Sequence, residues 1–118
     1  MLARTAYAAR PSVAYAHVRG HRTLDTANSK NVVAMGSGNG LYCFKLAFVP
    51  KNAVATIANV PTAPNQGLGF IKVALPPTPL FTCATIPKPH AVVATFNETT
   101  IGGRQSAGGH AFYVYWTK

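Results

Sequence analysis

A chain of 118 residues is long enough for one domain with a substantial buried core and too short for two. Eleven Lys and Arg against two Asp and Glu give a formal charge of +9, yet only 11% of the sequence is charged, where a soluble domain usually has about a quarter. The 48% hydrophobic content excludes simple disorder, no run approaches the ~18–20 apolar residues of a membrane span, and the shortage of acids removes most carboxylate chemistry.

Residues 1–12 read as an extended N-terminal arm. The segment is Ala-rich and acid-free, but Arg4, Arg10 and Pro11 break the hydrophobic run that a secretory signal needs. A basic arm of this kind suits docking on an acidic neighbour through Arg4 and Arg10; the competing reading makes it a first strand of the domain itself. From residue 13 to 118, glycine and proline punctuate short runs rich in Val, Thr, Tyr and Phe, the pattern of an all-β domain. In chain order the expected strands are 12–18, 22–26, 31–35, 41–48, 53–60, 70–75, 80–86, 91–96 and 111–117. Turn signals such as GSGNG at 36–40, PTAPNQGLG at 61–69 and PPTP at 76–79 separate them. No long window carries a 3.6-residue apolar repeat, so helix is restricted to a turn or two. Connections this short join antiparallel strands. The expected fold is all-β, an antiparallel β-sandwich or jelly-roll-like single domain over 13–118 with an N-terminal arm over 1–12.

Alternation indicates which faces are covered. In the run 41–48 the even positions Tyr42, Phe44, Leu46 and Phe48 form a complete apolar face. In the last run Phe112, Val114 and Trp116 share one face, while Tyr113 and Tyr115 on the other are hardly polar. A monomeric sandwich should show polar outer faces, so Phe112, Tyr113, Tyr115 and Trp116 are expected to divide between the core and an oligomer interface.

Chemistry-bearing residues are sparse. Asp25 and Glu98 are the two acids, and nothing in their flanks brings them together as a dyad. His17, His21, His90 and His110 with two cysteines invite a zinc reading, but His17 and His21 sit in a strand-to-turn region where an i,i+4 pair does not share a face, and neither cysteine has a second ligand nearby. The glycines at 36–40 lead into a strand rather than a helix, which marks a hairpin and not a phosphate loop. Asn97-Glu98-Thr99 is a formal glycosylation sequon. The Lys and Arg residues are scattered singletons, so general affinity for polyanions is expected and specific nucleic-acid binding is not. Cys43 and Cys83 lie outside any CxxC pair. A bridge between them would stabilise by ~4 kcal/mol in the chain-entropy model, and two buried thiols are the other reading.

The text from Gly40 to Val54, GLYCFKLAFVPKNAV, resembles a small β-rich domain common in actinobacterial secreted proteins and in phage tail or fibre proteins, often placed after collagen-like or other repetitive segments. The resemblance rests on Gly40, Tyr42, Cys43 and Phe44 of a G-x-Y-C-F motif, Phe48 and Pro50, Ala53 to Thr56, Cys83, Ala91 to Val93, and Phe112 to Trp116. Upstream, Ala14–Val18, Gly20 and Asn31 to Val33 also fit, so it spans roughly 13–117. It implies a compact sandwich-like module with no catalytic residues and a Cys43–Cys83 bridge. The chain departs from the usual member in having no signal peptide or collagen-like stalk and in being more basic. On this reading the protein is a non-enzymatic structural component of a phage virion, a capsid-decorating or tail and fibre subunit. It would bind no metal or cofactor, and its partners would be further copies of itself, a trimer among the options, and an acidic capsid or tail protein surface. The alternative is a secreted or surface-displayed module that adheres to glycans or cell surfaces.

Overall fold

The computed structural model describes residues 11–20, 22–38, 40–58, 69–77, 83, 85–98, 105–107 and 110–118. Within them lie eight strands: β1 (Val13–Val18), β2 (Val32–Gly38), β3 (Leu41–Leu46), β4 (Asn52–Ile57), β5 (Gly69–Ala74), β6 (Ala91–Glu98), β7 (Gln105–Ala107) and β8 (Phe112–Thr117). A single 3-10 turn, Thr26–Asn28, follows β1. Every strand pair is antiparallel. One sheet runs β1-β8-β4, and the other β2-β3-β6-β5 with β7 also on β6. Residues 91–94 of β6 pair with β3, whereas 96–98 pair with β7, so these two partners share one flank of β6 while β5 runs along the other.

The two sheets face each other across one core, as the alternation requires. Ala14, Ala16 and Val18 of β1 and Phe112, Val114 and Trp116 of β8 point inward from the three-stranded sheet. Tyr42, Phe44 and Leu46 of β3 and Ala91 and Val93 of β6 meet them from the other. Tyr42 packs edge-on against Phe112, and Phe44 against Trp116, each with ring centroids 4.9 Å apart. Such pairs add ~0.5–1.5 kcal/mol beyond their area burial. The expected sandwich is therefore the observed one, and Phe112 and Trp116 are core residues. They cannot belong to an interface, because each is completely enclosed between the sheets.

Cys43 and Cys83 are bonded, across a sequence separation of 40. The bridge does more than close a loop. Cys43 and Val92 lie on the outer face of the larger sheet, and Cys83 and Ile86 pack over them with Ala34, Leu41 and Ala74 alongside. Ile86 N donates to Cys83 O at 3.0 Å, so the chain turns tightly there. Cys83 and Ile86 thus belong to a strap fastened across this face, and the strap hides apolar surface that would otherwise be bare. Gly36 permits the close approach: a Cβ there would overlap Thr85 Oγ1 and meet Ile86 Cγ1 at 3.1 Å.

Three expected elements differ. The described part of 80–86 is this strap rather than a strand, because the disulfide pins it across the sheet instead of along an edge. Residues 22–26 form a loop with one bridge, Leu24 to Val18, since Asp25 organises the chain there with side-chain and backbone hydrogen bonds. The GSG of the expected turn continues β2. Gly38 pairs with Leu41, leaving a two-residue connection in which Gly40 takes φ 76°, the left-handed conformation such hairpins need. The short polar β7 carries no apolar pattern and was not expected.

Candidate functional site

Among the described residues no strap covers the outer face of the three-stranded sheet. Its residues follow from register alone. Tyr15 of β1 pairs with Tyr115 of β8, which pairs with Val54 of β4, and on the far edge Tyr15 bridges to Lys30. Paired residues in antiparallel strands project to the same side, so Lys30, Tyr15, Tyr115 and Val54 form one row. The next row is His17, Tyr113 and Thr56, and the row on the other side is Val13, Thr117 and Asn52. Val54 is 73% exposed, Tyr113 49%, Tyr115 44% and Tyr15 39%. A shallow depression of about 340 Å³ runs between the tyrosines and β4. Of the four aromatics expected to divide between core and interface, Tyr113 and Tyr115 are on this face and Phe112 and Trp116 are not. Arg4 and Arg10 lie outside the described residues.

A polar cluster anchors one corner. His17 stacks on Tyr113 with ring centroids 4.3 Å apart and planes at 12°. Its Nδ1 lies 2.9 Å from Asp25 Oδ2, which also accepts from Asn28 Nδ2 at 2.8 Å, while Arg19 Nη2 reaches Oδ1 at 3.3 Å. Ser29 Oγ donates to Asp25 O and accepts from His17 N. Hydrogen bonds from Asn28 and His17, aided by the charge on Arg19, hold the Asp25 carboxyl below its ordinary 3.8 against the opposing effect of burial. An ionised carboxylate only accepts, so Nδ1 of His17 carries the hydrogen.

A carboxylate holding a histidine by Nδ1 is half of a nucleophilic relay, but that chemistry needs a hydroxyl or thiol on Nε2. Among the described residues nothing is hydrogen-bonded to Nε2, and the Ser29 hydroxyl beside His17 is committed to backbone groups. The cluster therefore orients His17 and ties the loop after β1 to the sheet. Among the described residues no three His, Cys, Asp or Glu side chains gather as a metal site would require, and no helix is long and apolar enough to cross a membrane.

Tyr15, Val54 and Thr56 belong to this face and are not singled out from sequence, and His17, weighed there only as a metal ligand, belongs to it too. The signal for Tyr15 and His17 was the alternation Ala14, Ala16, Val18 against them. Placing Val54 beside Tyr115 requires the β4–β8 register, which no local pattern encodes. No protein-family model, curated protein or solved structure matches the chain.

Proposed function

We propose that this protein is a non-enzymatic structural subunit, a virion component of the capsid-decorating or tail and fibre kind, that assembles through the outer face of its three-stranded sheet. The observation that carries the reading is the exposed set Tyr15, Tyr113, Tyr115 and Val54 around one shallow depression whose lining holds no charged residue. Interface centres are depleted in charge and enriched in tyrosine, and contiguous apolar patches on soluble proteins mark contact sites. The resemblance of the G-x-Y-C-F segment to phage tail and fibre domains supports the virion setting. The Cys43–Cys83 bridge suits a protein that works outside the reducing cytosol, at a virion surface or in secretion.

Three strands spaced ~4.8 Å apart and six residues at ~3.4 Å each make a face of roughly 300 Å², well below the ~800 Å² per partner of a stable interface. The face is thus the centre of a footprint that extends over its rim. Light scattering from micromolar to millimolar concentration, with co-sedimentation on purified phage capsids or tails, tests the proposal. The wild-type chain should gain mass or co-sediment, and Val54→Asp should abolish either behaviour. A sharp monomer throughout, with no co-sedimentation, would overturn it. The tyrosines around a depression also favour a second reading, adhesion to glycans, for which saturation-transfer NMR with neutral and acidic oligosaccharides is the direct check.

A further inference from the structure

Resting on the reading of the tyrosine face as the contact surface, we infer that its occupant is an acidic protein surface on a different polypeptide rather than a second copy of this chain. The charges around the face carry the argument. Lys30 stands in the same row as Tyr15 and Tyr115, Lys51 precedes Asn52 at one end, and Arg19 follows β1 at the other. The sequence offers two acids to balance eleven cations. Asp25, the acid beside the face, is almost wholly buried and is engaged by Asn28, His17 and Arg19. Glu98 belongs to β6 of the other sheet. Lys30 and Lys51 make no ion pair with a carboxylate among the described residues, so the rim around the apolar centre is positive and unbalanced.

Two copies placed face to face would bring these rims together, and like charges across an interface are strongly unfavourable. An acidic partner turns the same rim into attraction and speeds encounter. The centre of the face decides between a protein and an acidic saccharide. A saccharide favours charged or amide side chains that hold its hydroxyls in fixed directions, yet the most exposed of the large apolar side chains here is Val54 and the nearby carboxylate is already engaged by Asn28, His17 and Arg19. An apolar, tyrosine-rich centre with a charged margin is the anatomy of a protein interface.

The probe is a random copolymer of glutamate and tyrosine, with alginate as a polyuronate control, titrated into the 15N-labelled chain. Amide shifts should concentrate on 13–17, 52–56 and 113–117. Val54→Asp and Lys30→Glu, both exposed and expected to leave the dispersed spectrum intact, should each weaken binding by about tenfold or more. Four results would overturn the inference. Shifts spread over Lys45 and Lys72 of the other sheet and Lys88 ahead of β6 would show only general attraction to polyanions. Equal binding of alginate at the face would assign it to acidic saccharides. Shifts on the face that grow with the chain's own concentration, without probe, would assign it to a second copy and leave the contact-surface reading standing. A face unperturbed under every condition would overturn both.

Discussion

Replacing Gly36 by alanine tests whether the disulfide holds a strap against β2. Gly36 pairs with Cys43, so both project to the covered outer face. The added methyl would overlap Thr85 Oγ1, lie 3.1 Å from Ile86 Cγ1 and sit 3.4 Å from Cys83 Cβ. Thr85 is exposed and its hydroxyl can rotate away. Ile86 is packed, however, and Cys83 is anchored to Cys43, so the strap cannot retreat as a unit. Alanine in a strand interior is otherwise favoured over glycine by ~0.5–1 kcal/mol, whereas overpacking costs ~1–3 kcal/mol. The net is a destabilisation of ~1–2 kcal/mol. Unfolding entropy of ~2.1 cal/mol/K per residue amounts to ~0.25 kcal/mol/K for this chain, so Tm should fall by ~4–8 °C. Thermal melts of wild type and Gly36→Ala, each oxidised and reduced, form a double cycle. Once the bridge is reduced the strap can lift, and the two reduced proteins should differ by less than ~0.5 kcal/mol or favour alanine. An equal loss in both redox states, or a gain in the oxidised one, would refute the strap as the cause.

The bridge itself should contribute ~4 kcal/mol in the chain-entropy model, so Cys83→Ser is expected to lower Tm by ~16 °C, measured by calorimetry. Trp116→Ala, at the enclosed centre of β8, should cost ~3–5 kcal/mol by urea denaturation, which leaves little of a typical domain's stability. The Asp25 carboxyl titrates below its ordinary 3.8 in the folded protein, so the unfolded chain binds more protons between the two values. The stability it supplies is complete above the unfolded pKa and is lost as pH falls through the folded one. With only two acids in the sequence, Asp25→Asn should flatten most of the acid limb of stability, read from urea melts at successive pH values below neutrality. Val54→Asp and Tyr115→Ser, on the open face, should change stability by no more than ~0.5 kcal/mol while abolishing co-sedimentation with purified capsids or tails.

The layered architecture was legible because strands with one covered face carry a period of two. Tyr42, Phe44 and Leu46 against Cys43 and Lys45, and Phe112, Val114 and Trp116 against Tyr113 and Tyr115, announce their inward sides directly. What escaped was set by distant partners. The run 80–86 has strand-like composition, but its fate depends on the bond to Cys43, forty positions away. Gln105–Ala107 pairs with β6, and its sequence, Gln-Ser-Ala, has no apolar alternation to announce a strand. The tyrosine face was half visible: Tyr15, Tyr113 and Tyr115 have the signal of alternation, while Val54 and Lys30 join them only through register. Asp25 looked like an isolated acid because its partners are spread from His17 to Asn28 around a turn that has no apolar pattern.

The internal use of Asp25 has a consequence for how ionic strength acts on the molecule. With its nearby acid turned inward, the exterior of each copy carries almost one sign, so contacts between copies cannot be guided by opposite charges and must overcome mutual repulsion. Added salt shortens the range of that repulsion and should promote association of the chain with itself, while it weakens docking on an acidic partner. Opposite slopes against salt therefore distinguish the two kinds of assembly in a single titration.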